Sequence, residues 1–246
     1  MGRAEMHIAA SLPQTLVVPE PVRLSVFDLD RTLTIRPTYA SFLFFAARTH
    51  APWRLLLVPL LLPLALLHAL KLIPRRRMKQ AMHRLALGGS LAERDAARLA
   101  DDFARRLVAR GLYRQGIELI ERERAADRRI LIATAAPHFY TAALARRLGI
   151  ADVVATASSW RDGQLVPAID GANCYGADKC AMVQAFMRRA GIARDAAHIR
   201  FFSDHVSDLP LFDCCDEPVA VNPSPKLAAI AARCGWPVLD WRQPRA

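Results

Sequence analysis

Four short clusters of polar residues carry the chemistry of this chain. Asp28-Leu29-Asp30-Arg31-Thr32 sets two carboxylates two residues apart, with a hydroxyl close behind. Thr134 supplies a second hydroxyl, and Lys179, entering a helical stretch after Gly176, supplies a cation. Ser203-Asp204-His205-Val206-Ser207-Asp208 adds another acidic pair. A nucleophilic carboxylate, a second carboxylate, a hydroxyl, a lysine and a further acidic pair form a coherent set for phosphoryl transfer. The need for cations follows from charge. A carboxylate attacking phosphorus approaches anionic oxygens, and two like unit charges ~4 Å apart repel by about 4 kcal/mol at an effective dielectric of ~20. The sequence has no Walker-type P-loop, no G-x-S-x-G and no zinc-ligand spacing.

These clusters need a scaffold that gathers them. Short apolar runs read as buried strands at 23–28, 129–134, 152–156, 199–203, 218–221 and 236–239. Helical patterns separate most of them, at 116–126, 139–148, 177–190 and 226–233. Buried strands alternating with helices predict an α/β fold: a Rossmann-like parallel sheet with helices on both faces. Such sheets present ligands at the carboxyl ends of their strands, which is where the four clusters fall. Asp162-Gly163 is a hairpin turn signal. Residues 22–37 and 111–246 are expected to form the catalytic core, 38–110 an inserted helical cap, and 1–21 a loose lead-in without the apolar core of a secretory signal.

The D-x-D-x-T, the strand-ending Thr, the Lys and the D-x-x-x-D occur in the order and spacing of the haloacid dehalogenase superfamily of phosphatases. The chain resembles that superfamily over about residues 22–241. Within it, the insert after the first motif is similar to the branch of phosphoserine phosphatase. The resemblance implies Asp28 as nucleophile, forming an aspartyl-phosphate, and Asp30 as the acid that protonates the leaving oxygen and then takes a proton from water. It implies Mg²⁺ held by Asp28, Asp204 and the backbone carbonyl of Asp30, with Lys179 and Thr134 on the phosphoryl oxygens. Thr32 is expected to bind substrate or orient the loop, and Asp208 to orient Lys179 or a metal-bound water. Two positions depart from the family pattern, Arg31 and Ala135, each standing where a glycine is common. His138, His205, Ser203 and Ser207 are read as packing or polar loop residues.

The net charge of +11 is localised. From Arg31 to Ala92 there are ten Lys or Arg and no Asp or Glu, so this stretch favours an anionic partner. It contains Leu55 to Leu70, sixteen residues without a charge, ten of them leucine. Apolar positions cover every face of a helix there, and Pro59 and Pro63 should kink it. A single span conflicts with a site built from both sides of the insert, and sixteen residues reach only about 24 Å against a ~30 Å hydrocarbon core. Burial inside the cap, pairing with 42–47 and dipping into one leaflet are the alternatives; leucines flanked by cations favour dipping.

A leucine-rich, basic-flanked insert is also similar to that of the phosphatidylglycerophosphatase C family, which implies a phosphate-bearing lipid substrate such as phosphatidylglycerophosphate. The expectation is a Mg²⁺-dependent phosphate monoester hydrolase at the cytoplasmic side of the inner membrane, peripheral or monotopic, meeting an anionic membrane surface. The alternative is a cytoplasmic enzyme acting on a soluble ester such as phosphoserine. A basic membrane- or nucleic-acid-binding module is the reading from another class. Nucleic acid is not expected as a partner, because the cations interleave with leucine rather than with stacking residues. Five cysteines without C-x-x-C spacing suggest a reduced chain without structural disulfides or zinc.

Overall fold

A computed structural model of the chain describes residues 20–242; the lead-in expected over 1–21 lies almost wholly outside the described residues. In chain order the elements are β1 (Val22–Phe27), α1 (Thr38–His50), a 3-10 stretch (Pro52–Leu61), α2 (Leu62–Ala69), α3 (Arg75–Leu87), β2 (Leu91–Ala92), α4 (Glu93–Arg110) and α5 (Arg114–Ala125). There follow β3 (Arg129–Pro137), α6 (His138–Arg147), β4 (Asp152–Arg161), β5 (Gln164–Asp170), α7 (Ala177–Arg189), β6 (Ala197–Ser203), α8 (Leu209–Phe212), β7 (Glu217–Val221), α9 (Pro225–Cys234) and β8 (Val238–Leu239).

The strands form one sheet in the order β2-β5-β4-β3-β1-β6-β7-β8. It is parallel from β4 to β8, as expected, and turns antiparallel at β4–β5 and β5–β2. The Asp162-Gly163 turn joins β4 to β5, with φ of 48° and 70° at the two residues; both lie in the left-handed region that such hairpins demand. Within the largely helical insert, β2 adds a short strand, Leu91 and Ala92 pairing with Leu165 and Gln164 at the sheet edge.

β1 is central and buried, and its alternating side chains feed two cores. Leu24 and Val26 join Val183 and Met187 of α7 and Leu227 of α9 on one face. Phe27, on the other face, shares a cluster with Phe42 of α1, Phe103 of α4, Ile120 of α5 and Tyr140 of α6. The Phe42 ring stacks on Tyr140 at 4.7 Å and meets Phe103 edge-on at 5.3 Å. The insert therefore shares this core instead of enclosing one of its own. α4 shows why: Ala96, Leu99, Ala100, Phe103, Ala104 and Leu107 form a buried stripe at helical spacing. Glu93 and Asp95 in its first turn and Arg110 in its last suit the helix dipole.

The leucine-rich segment behaves differently. Pro63 sits in the first turn of α2, where a missing N–H is tolerated, whereas Pro59 lies inside the 3-10 stretch and leaves one of its bonds unmade. No residue from Pro52 to Ala69 is buried, which removes the cap-core alternative for this segment. The pairing partner considered at 42–47 is committed elsewhere, since Phe42, Leu43, Ala46 and Ala47 lie in the core of the sheet.

Candidate active site

Register brings the clusters together. Phe27 is level with Ile132 of β3 on one side and with Phe202 of β6 on the other. Asp28 thus leaves β1 beside Thr134 and Asp204, each two residues beyond those partners. Because β1 connects to neighbours on both sides, its carboxyl end is the switch point of the sheet, where doubly wound folds leave a crevice. A cavity of about 220 Å³ opens there, lined by Asp28, Asp30, Thr134, Lys179, Asp204 and Asp208 among others.

Lys179 is the hub. Its Nζ lies 2.7 Å from Asp28 Oδ1 and 2.7 Å from Asp208 Oδ2, and all three side chains are buried. It stands in the first turn of α7, which Gly176 introduces with φ 61°, a left-handed conformation suited to glycine. Burial alone would lower the lysine pKa, but Asp28 and Asp208 outweigh it and hold the amine charged above its ordinary value. Ser203 Oγ donates to the same Asp208 Oδ2 at 2.6 Å, which leaves Asp208 Oδ1 buried without a partner.

Asp30 is fixed by the start of α1. Thr38 donates from its backbone N (2.8 Å) and from Oγ1 (2.7 Å) to Asp30 Oδ1, and Thr38 Oγ1 lies 3.1 Å from the Tyr140 hydroxyl. Thr32 is fully buried and does not line the cavity; its Oγ1 donates to Asp28 Oδ2 at 3.2 Å. The structure thus places it behind the Asp28 carboxylate, off the cavity lining. Thr134 Oγ1 accepts from Ala136 N at 3.1 Å, so its proton remains free to point into the cavity.

Arg31 has φ 63°, which gives a physical reason for the family's glycine at this position. Its carbonyl accepts from Asn222 Nδ2 at 3.0 Å, and Asn222 Oδ1 in turn accepts from Trp241 N at 2.7 Å. Thr38, Tyr140 and Asn222 were missed from the sequence. Asn222 had a signal, since it directly follows β7 at the carboxyl end of the sheet; Thr38 and Tyr140 had none. His205 and Ser207 border the cavity and His138 does not.

The site is short of positive charge. Burial pushes Asp28 up to about 6, against the lowering pull of Lys179. Asp204 is pushed up to about 8, first by burial and then by Asp28 and Asp208. No hydrogen bond from another described residue reaches the Asp204 carboxylate, and Asp208 Oδ1 is unpartnered. Crowded, underused carboxylate oxygens fit a hard divalent cation such as Mg²⁺. Among the described residues no trio of His, Cys, Asp or Glu side chains forms a metal cage. The expected set needs none: it comprises two carboxylates, Asp28 and Asp204, and the Asp30 carbonyl, while the Asp30 carboxylate is turned to Thr38.

Known proteins are similar to this chain in fold or in sequence. A protein of unknown function from Bordetella pertussis superposes with a TM-score of 0.81 at 28% identity, covering 90% of this chain and 99% of that one. A phosphoserine phosphatase carrying an analogue of the phospho-aspartyl intermediate has the same fold, with a TM-score of 0.60 at 13% identity over 90% of this chain and 94% of that one. A phosphoserine phosphatase of Mycobacterium tuberculosis is 27% identical over 158 residues, which is 64% of this chain and 50% of that one. The chain spans about half the length of the first curated relatives it matches. Residues 25–213, from within β1 to just past α8, match the haloacid dehalogenase-like hydrolases, and the chain belongs to that family.

Proposed function

We propose that the chain is a Mg²⁺-dependent phosphate monoester hydrolase that works through an aspartyl-phosphate on Asp28. The observation that carries this is the Asp28 carboxylate, buried at the switch point, 2.7 Å from a Lys179 that also holds Asp208, with Thr134 and Asp204 on the same cavity. An Asp28 oxygen attacks phosphorus as the ester P–O bond breaks. Asp30, anchored through Oδ1 by Thr38, gives its proton to the departing alkoxide. Asp30 then takes a proton from water, whose oxygen attacks phosphorus; the bond to Asp28 breaks and inorganic phosphate leaves. Lys179 and the Thr134 hydroxyl hold phosphoryl oxygens as charge builds. Asp28, Asp204 and the Asp30 carbonyl would hold Mg²⁺, which supplies neutralising charge at the phosphoryl group.

A small soluble ester is the substrate class one curated relative, a phosphoserine phosphatase, favours, and a cavity of about 220 Å³ suits a phosphoryl group with a small alcohol. A lipid phosphate at the cytoplasmic leaflet is the second reading, favoured by the absence of any buried residue from Pro52 to Ala69. Phosphate release from phosphoserine in solution and from phosphatidylglycerophosphate in mixed micelles separates the two. Asp28→Asn should lower turnover at least about a thousandfold on either, and chelation of Mg²⁺ should stop it. Turnover that survives Asp28→Asn would remove the covalent mechanism.

A further inference from the structure

We infer that the segment from Pro52 to Leu72, with the cations around it, is a docking surface for an anionic phospholipid bilayer. The inference does not depend on which ester the Asp28 centre cleaves. Leu56 is 81% exposed, Leu60 69%, Leu66 61% and Leu72 67%, a concentration of apolar surface that soluble monomers rarely leave in water.

Three observations select a bilayer over a protein partner. First, the exposed leucines do not form one stripe: consecutive turns present apolar side chains in all outward directions. A protein covers one face of such a segment, whereas acyl chains cover every face turned to them. Second, the segment lies flat instead of projecting. The Arg54 guanidinium donates to the carbonyl of Leu85 at 3.2 Å, near the end of α3, and α3 itself begins just after the segment ends. Both ends are thus held on the same side of the molecule, the geometry of an interfacial element and not of a span. Third, the surroundings are positive without exception in sequence: no Asp or Glu occurs between Arg31 and Ala92. Arg48, Lys71, Arg77 and Arg84 are exposed. Juxtaposed leucine and cation recognise the two parts of an anionic lipid, acyl chain and phosphate.

A groove beside the segment repeats this chemistry on the scale of one acyl chain. It encloses about 430 Å³ between the segment and α3, lined by Leu57, Leu61, Leu64 and Leu67 together with Arg54 and Arg84. Trp53, 58% exposed at the segment's start with the Arg54 guanidinium 4.7 Å from its ring, is the residue type that settles at the headgroup level.

The test is flotation of the full chain with vesicles of phosphatidylcholine alone or mixed with phosphatidylglycerol. Wild type should float with the anionic vesicles, and added salt should weaken the association. Leu56→Ser with Leu60→Ser and Leu66→Ser should abolish flotation, and Lys71→Glu with Arg77→Glu should weaken it at least about tenfold. Hydrolysis of a soluble phosphate ester, expected to be unchanged in both variants, shows that they are folded and keeps failure here separate from failure of the catalytic reading. A blue shift of wild-type tryptophan emission on adding anionic vesicles, lost in Trp53→Phe, tests the contact without the leucine variant. Flotation of the triple variant equal to wild type would overturn the inference. So would absence of vesicle binding by a wild type that is dimeric by light scattering while the triple variant is monomeric, since the face would then be an interface between copies.

Discussion

Asp204→Asn should stabilise the metal-free protein while abolishing its metal-dependent activity. The magnitude follows from the site. Burial, then Asp28 and Asp208, lift the Asp204 carboxyl from 3.8 to about 8. A displacement of that size corresponds to about 6 kcal/mol if nothing screens it. The carboxylate borders an open cavity whose water and side chains relax, so about 2–3 kcal/mol is the expected gain. The sign runs with pH. A carboxyl whose pKa is raised by folding leaves stability intact below about 4 and erodes it as pH rises towards 8. The advantage of Asp204→Asn in chelator should therefore grow from near zero at pH 4 to its full value by pH 8 and then level off. Mg²⁺ should act in the opposite sense, stabilising wild type by about 2.7 kcal/mol at a hundred times its dissociation constant and the variant far less. Urea unfolding at pH 4, 6 and 8, with chelator or with Mg²⁺, reads all of this from the transition midpoints at constant m. Equal stability of the two proteins in chelator across that range would show that Asp204 is not held against its charge. Equal Mg²⁺ stabilisation of both would remove Asp204 from the metal site.

Lys179→Met should cost about 3–5 kcal/mol in urea unfolding, because it leaves the Asp28 and Asp208 carboxylates buried without their shared cation; a loss below about 1 kcal/mol would contradict the hub geometry. Phe42→Ala, which empties the ring contacts to Phe103, Phe139 and Tyr140, should cost about 3–5 kcal/mol. Its unfolding should remain one transition; a separate early melting of the insert would show that the shared core does not couple them. Burial pushes His83 down to about 4 from 6.5, so the unfolded chain takes up that proton first as pH falls. Stability from this group is complete above about pH 6.5 and is lost by about pH 4, to a total of about 3 kcal/mol. His83→Leu should flatten that part of the stability profile relative to wild type, and a parallel profile would exclude His83 as its source.

What could be read from the sequence was local or periodic. The strand ending at Asp28 is an apolar run closed by a carboxylate, and the turn at Asp162-Gly163 needs two left-handed residues that few other dipeptides supply. The parallel sheet then places Asp28, Thr134 and Asp204 at one end with no further information. What escaped were pairings set by tertiary distance. Thr38 holds Asp30 because α1 happens to start over the first motif, and nothing in the local pattern around Thr38 marks it as more than a helix start. The two residues of β2 are too short for any alternation, and only the sheet edge offered by β5 makes them a strand. Composition showed that Leu55 to Leu70 is apolar on all faces, but whether a core would close over it depended on α1 and α4, which spend their apolar faces on the sheet.

The placement of charge explains how a basic chain can keep an acidic centre. Eight of the ten cations between Arg31 and Ala92 lie in the insert, whereas the cavity sets Asp28, Asp30, Asp204 and Asp208 against Lys179 and Arg31. Two of those carboxyl groups already resist ionisation, Asp28 up to about 6 and Asp204 up to about 8, so the bare pocket opposes a phosphate dianion even though the chain as a whole attracts one. Attraction at long range and opposition at contact are reconciled only by positive charge delivered between the carboxylates and the phosphoryl oxygens. Lys179 cannot supply it all, since its donors are already shared between Asp28 and Asp208. The remaining demand falls on Asp204 and on the face of Asp28 turned away from the lysine, and a divalent cation bound there before the ester would turn the pocket from repelling phosphate to holding it.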